Sequence, residues 1–231
     1  MTLVPDIQTR DSRGFFSTLI KPSENKARTI WIAVVGMLLV VALGLVLRNS
    51  HFDLAVVQYF NDHHHGTIGS ITNAVYKYLG PIFAIIGTAA ATGIIILATR
   101  SLRIGSTFAV TIAATWLSMA LVKMVVHRLR PDPALLNFPF DPAQIDASYP
   151  SGHTAFITAL VVTIFLGAAV GYRRWLVAII GGAVILVVGA SLVTDGVHFP
   201  SDVIGSIVWA IAVAPLARML WVSVILSRFK Q

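Results

Sequence analysis

Six apolar runs, roughly 30–48, 81–99, 104–127, 153–171, 175–194 and 203–225, leave this chain few ways to fold. An α-helix rises 1.5 Å per residue and a bilayer's hydrocarbon core is ~30 Å thick, so about 20 apolar residues make one crossing. Each run is that long within a few residues, which predicts an all-α, polytopic membrane helical bundle with six transmembrane helices. With 56% hydrophobic and 12% charged residues, the chain is too apolar for a water-soluble domain of its size to cover. Segment 49–80 is mixed, with Phe52, Leu54, Val57, Tyr59 and Phe60 interrupted by Asp53, Gln58 and Asn61 before a second mixed stretch at 71–78. One or two short interfacial helices after the first span fit it. Residues 1–29 carry Asp6, Arg10, Asp11, Arg13, Lys21, Glu24, Lys26 and Arg28 without the core or cleavage site of a secretory signal. They read as a cytoplasmic tail, and 30–231 as one membrane domain.

Lys and Arg in the flanks orient the bundle. With a cytoplasmic N-terminus, that side collects Arg10, Arg13, Lys21, Lys26, Arg28, Arg100, Arg103, Arg173, Arg174, Arg228 and Lys230, against Arg48, Lys77, Lys123, Arg128 and Arg130 outside. Such a bias favours a multi-pass chain with both termini cytoplasmic. The 17 Lys+Arg against 10 Asp+Glu form short clusters between spans, not a stripe, so nucleic acid is not the expected partner. Cysteine is absent, which excludes disulfides and thiolate metal sites. The run His63-His64-His65 cannot turn all its rings to one ion and reads as a hydrated loop; no metal is assigned. The tryptophans read as anchors and packing groups.

Three polar clusters then fall at the outer ends of spans, where ionisable groups are expensive unless paired or hydrated. Lys123 and Arg130 lie seven residues apart, on one face if the helix continues that far, and a guanidinium with an ammonium suits a phosphoryl group. Pro150-Ser151-Gly152-His153 precedes an apolar helix: Ser151 suits an N-cap, Gly152 leaves room for a ligand at the backbone, and free amides there attract anions. His198 and Asp202 stand four residues apart where Pro200 can open a helix, so the carboxylate can orient the ring. The alternatives are interfacial snorkelling for the cations, simple capping for Ser151 and a structural pair for His198 and Asp202.

These residues resemble the type 2 phosphatidic acid phosphatase superfamily, whose motifs are Lys-x6-Arg-Pro, Pro-Ser-Gly-His and Ser-Arg-x5-His-x3-Asp. Here they read Lys123…Arg130-Pro131, Pro150-Ser151-Gly152-His153 and Ser191-Leu192…His198…Asp202. The resemblance implies an integral-membrane lipid-phosphate or lipid-pyrophosphate phosphatase acting at the extracytoplasmic face without a metal ion or cofactor. His198 would be the nucleophile that forms a phosphohistidine, Asp202 its orienting group, and His153 the proton donor that later activates water. Lys123, Arg130, Ser151 and Gly152 would bind phosphate. Undecaprenyl pyrophosphate, phosphatidic acid and phosphatidylglycerophosphate are the candidate substrates, with the tail held in the lipid bilayer.

One position departs from the pattern: Leu192 replaces the arginine of the third motif, and Asp195 adds a carboxylate nearby. Loss of a charge-assisted contact is worth about 1.5–3 kcal/mol. Arg128 is an auxiliary donor that could substitute, and Asp195 has Arg128, Lys123 or water as partners. The departure keeps two other readings open: a lipid phosphotransferase using the same phosphohistidine, and a non-catalytic lipid-binding or transport protein.

Overall fold

The structure, a computed structural model, describes residues 14–168 and 171–229, so residues 1–13 of the expected tail, residues 169–170 and the terminal residues 230–231 lie outside it. Among the described residues there are eight α-helices and no strand: α1 Lys26–Leu47, α2 Leu54–Asn61, α3 Gly66–Tyr78, α4 Pro81–Thr99, α5 Leu102–Val126, α6 Gly152–Gly167, α7 Tyr172–Thr194 and α8 Pro200–Leu220. A π-helical stretch, Trp221–Ile225, and a 3-10 turn, Leu226–Phe229, prolong α8. The mixed segment after the first run forms two short helices, α2 and α3, as its interrupted pattern predicts.

Among the described residues, five helices are long and apolar enough to cross a membrane: α1, α4, α5, α7 and α8 with its extension. The fourth apolar run forms only the 16 residues of α6, about 24 Å of helix. It stops early because the Thr18 hydroxyl sits 2.7 Å from the carbonyls of Leu166 and Gly167, and Phe16 packs so closely that a Cβ on Gly167 would lie 2.6 Å from its ring. Part of the expected tail is therefore structural. Residues 14–21 turn into the bundle, where Leu19 is fully buried beside Phe108, Phe156 and Ile157, and α1 begins at Lys26.

Helix α8 is central and packs on α1, α5 and α6. Small residues allow this: Gly36 of α1 faces Ala212, while Gly44 and Gly205 make room for the ring of Tyr149, whose hydroxyl donates to Val40 O at 2.8 Å. Polar residues on the buried face of α5 satisfy themselves, Thr107, Thr111 and Thr115 each donating to the carbonyl one turn back. Leu38, Val46, Ile82, Leu97, Leu121, Ile179 and Leu186 point outward, which suits hydrocarbon as the surrounding solvent.

Candidate active site

Local chain geometry brings the three clusters together at one end of the bundle. Helix α5 ends at Val126 because His127 takes a left-handed conformation, φ 47°, its amide donating back to Lys123 O at 2.9 Å. Lys123 and Arg130 consequently do not share a helix face; Arg130 lies on the irregular segment beyond, and the two cations converge because that segment folds back. Ser151 caps α6, its hydroxyl oxygen accepting from Thr154 N at 3.4 Å. Pro200 opens α8, and the Asp202 carboxylate accepts from Phe199 N at 2.8 Å.

A cavity of about 280 Å³ is lined by Lys123, Arg130, Asp146, Gly152, His153 and His198, with Tyr76, Trp116 and Gln144. Arg130 Nη1 donates to Val197 O at 2.6 Å and stands 3.3 Å from His198 Nε2. A guanidinium has no acceptor, so Nε2 presents its lone pair and the ring proton is on Nδ1, 3.5 Å from Asp202 Oδ2. Burial holds His198 well below the usual imidazole range, with Arg130, Lys123 and His153 adding to the effect. His153 Nε2 meets the carbonyl of Tyr76 at 3.0 Å, and because a carbonyl only accepts, the proton of that contact belongs to the imidazole. The Tyr76 ring lies beside it, centroids 4.5 Å apart. A Cβ on Gly152 would meet nothing nearer than Met119 at 3.8 Å, so protein packing does not demand the glycine and the backbone is open to the cavity. Trp116 fixes that backbone by donating to Gly152 O at 3.1 Å.

Not every expected residue faces the cavity. Ser151 is fully buried behind it as the cap. Arg128, expected as an auxiliary phosphate donor, lies behind His198, only 1% exposed. Its guanidinium donates to Asp202 Oδ1 at 2.8 Å, Ser201 Oγ at 2.7 Å, Ser50 O at 2.9 Å and Asp53 Oδ1 at 3.1 Å, above the face of Phe199. Asp202 thus shares its charge with Arg128 on one oxygen, while the other accepts from Ser148 Oγ and Phe199 N. Leu192 is fully buried among apolar side chains including Phe108, Phe156 and Val197, leaving Lys123 and Arg130 as the cavity's Lys and Arg groups.

Asp195 meets neither Arg128 nor Lys123. It is buried against Thr72 and His64, with His64 Nε2 at 3.4 Å, and burial raises its carboxyl to about 6 despite the opposing effects of those neighbours. His64 is correspondingly no hydrated loop residue: it is buried, Nδ1 2.5 Å from Phe138 O and Nε2 3.0 Å from Asn73 Oδ1. Among the described residues no group of three or more His, Cys, Asp or Glu is arranged to hold a metal ion.

Sequence reasoning passed over Asp53, Tyr76, Asp146 and Ser148. The first and third had a signal, since buried or clustered cations require counter-charges and both acids stand in loops flanking the site. Tyr76 acts through its backbone carbonyl and Ser148 through a fold-dependent contact, and neither shows in a residue pattern.

The fold and this cavity define a helical membrane protein with a histidine-bearing, cationic site at one end of its bundle. Residues 104–224, more than half of the chain, match the PAP2 superfamily, and the protein belongs to it. Its fold is similar to the crystal structure of the first transmembrane PAP2-type phosphatidylglycerolphosphate phosphatase from Bacillus subtilis. That likeness covers 87% of this chain and 98% of the other, with a TM-score of 0.64 at 16% identity. No curated protein matches the sequence.

Proposed function

We propose that this protein is a lipid-phosphate phosphatase working through a phosphohistidine on His198. The observation that carries the reading is the His198 Nε2 lone pair, 3.3 Å from Arg130 Nη1 in a cavity that also holds Lys123 and His153. Nε2 attacks phosphorus and the bond to the lipid oxygen breaks. His153 enters as the imidazolium, its Nε2–H on the Tyr76 carbonyl, and gives the departing oxygen its Nδ1 proton, which leaves the ring neutral. Water then attacks the phosphohistidine with His153 taking its proton, releasing phosphate and restoring both rings. Lys123, Arg130 and the free amides at the start of α6 stabilise the charge spread over the equatorial oxygens, so positioning and fixed positive donors supply the catalysis without a metal ion.

The substrate's tail stays in the bilayer, and undecaprenyl pyrophosphate, phosphatidic acid and phosphatidylglycerophosphate form the panel to test. We read α6 as a sixth crossing. Its C-terminal carbonyls engage Thr18, and Arg218 near the end of α8 donates to Leu19 O at 3.0 Å and Lys21 O at 2.8 Å, so α6 and α8 both run from the cavity to the N-terminal segment. A sixth crossing returns both termini to one side, the cytoplasmic one by the Lys and Arg bias, with the site extracytoplasmic.

Purified protein in detergent should release phosphate from at least one of these lipids in the presence of a chelator, and His198→Ala should abolish release and the acid-labile phosphoenzyme. Lipid-phosphate binding with no phosphoenzyme on any substrate would instead favour a non-catalytic protein, a reading motivated by Leu192.

A further inference from the structure

The two cations of the cavity already hold an anion that belongs to the chain. Asp146 Oδ1 lies 2.7 Å from Arg130 Nη2 and 3.1 Å from its Nε, and Oδ2 lies 3.0 Å from Lys123 Nζ. This carboxylate spans the ammonium and the guanidinium, the place a phosphoryl group would take between them.

Three features mark it as an exchangeable occupant, not a strut. Both cationic arms are held independently by carbonyls: Lys123 donates to Ala147 O at 2.7 Å, and Arg130 to Val197 O at 2.6 Å and Asp146 O at 3.2 Å. Those bonds persist if the carboxylate swings away. The Asp146 side chain is 59% exposed and sits in the irregular segment before α6, so it has somewhere to go. Burial alone would raise its carboxyl, but Arg130 and Lys123 pull it down to about 2, and it carries a full negative charge at any working pH.

An incoming anion must therefore exchange with a charge of −1. A phosphodiester headgroup also carries −1, so the swap gains no charge interaction while both partners are desolvated. A terminal phosphate carries about −1.5 to −2 near pH 7 and exchanges at a gain. Diesters surround a site at headgroup depth in vast excess, and an unguarded pair of cations there would be occupied by them.

Resting on the lipid-phosphate reading above, we infer that Asp146 is a specificity residue, an internal carboxylate that only a terminal phosphate displaces and that keeps phosphodiester headgroups out of the Lys123–Arg130 site.

Binding tests this without turnover. Inorganic phosphate is titrated against the protein in a neutral detergent, with and without dihexanoyl phosphatidylglycerol as a competing diester, and Trp116 in the cavity wall contributes a fluorescence signal. Wild type should bind phosphate with an affinity the diester changes less than about twofold. Asp146→Asn should bind phosphate about tenfold more tightly and lose at least about fivefold of that affinity to the diester, whereas Asp146→Glu should behave as wild type. Equal behaviour of the Asn and Glu variants, or diester competition already present in wild type, overturns the inference. Failure of wild type to bind phosphate at all overturns the reading beneath it instead.

Discussion

Replacing Arg128 by methionine separates two roles that a cation in this motif could have. In a phosphate cradle its loss would weaken anion binding and leave the fold intact. The structure puts it elsewhere, making four side-chain hydrogen bonds at 2.7–3.1 Å, two of them to the carboxylates of Asp53 and Asp202. Methionine fills similar volume but leaves those carboxylates buried without their counter-charge, and breaking a buried pair from one side costs about 3–5 kcal/mol. At roughly 2–4 °C per kcal/mol for a chain of this size, the midpoint of thermal unfolding in detergent should fall by about 6–20 °C. The rate should fall with it, because Asp202 no longer has both oxygens fixed behind His198, whereas inorganic phosphate should bind the folded fraction as tightly as wild type. Adding Asp53→Asn removes one of the stranded charges and should restore part of the lost midpoint, a coupling expected of contacting groups. A midpoint within about 2 °C of wild type, accompanied by weakened phosphate binding, would refute the placement of Arg128 as a support of Asp202.

Asp195 gives a test with a definite sign. Its carboxyl titrates at about 6 in the folded chain because of burial, against about 3.9 in an unfolded one, so stability is lost as pH rises from about 4 through about 6. Asp195→Asn should raise the unfolding midpoint at pH 8 and leave it unchanged near pH 4; an equal gain at both would be inconsistent with this account. His198, held neutral by burial and the nearby cations, should show no titration of its ring resonances between about pH 8 and about 6.5 in an NMR titration of labelled imidazoles. Gly205→Ala would place a Cβ 2.5 Å from Tyr149 Oη, and such overpacking should destabilise the protein by about 1–3 kcal/mol, read as an unfolding midpoint several degrees lower.

What the sequence disclosed follows the reach of each interaction. Helices and their starts are local, so the apolar runs predict the long helices, Ser151 its cap and Pro200 the first turn of α8. The fourth run overestimates its helix because what stops it, the Thr18 hydroxyl and the Phe16 ring, comes from about 150 positions earlier. Periodicity also put Lys123 and Arg130 on one helix face. The left-handed turn at His127 breaks that register, and the pair meets by a fold-back that spacing does not encode. Motif order points to His153 and His198, which line one cavity, and to Asp202 behind His198, but charge balance is a property of three dimensions. Arg128 belongs to Asp53 and Asp202, and Asp195 to His64 and Thr72, pairings that no interval in the chain announces.

The segment before α1 also bears on how the chain is made. Its partners lie on α5, α6 and α8, Phe108, Gly167 and Arg218 among them, so residues 14–21 leave the ribosome well before any of them. The side chain of Leu19 finds its core neighbours Phe108, Phe156 and Ile157 on α5 and α6, while the Leu19 and Lys21 carbonyls gain Arg218 only once α8 is made, so the closing of this segment is completed late. A terminal fusion or a truncation trimmed to the first apolar run would act on that final closure: it would strip Arg218 of its acceptors and open the core at Leu19, at the end of the bundle farthest from the cavity.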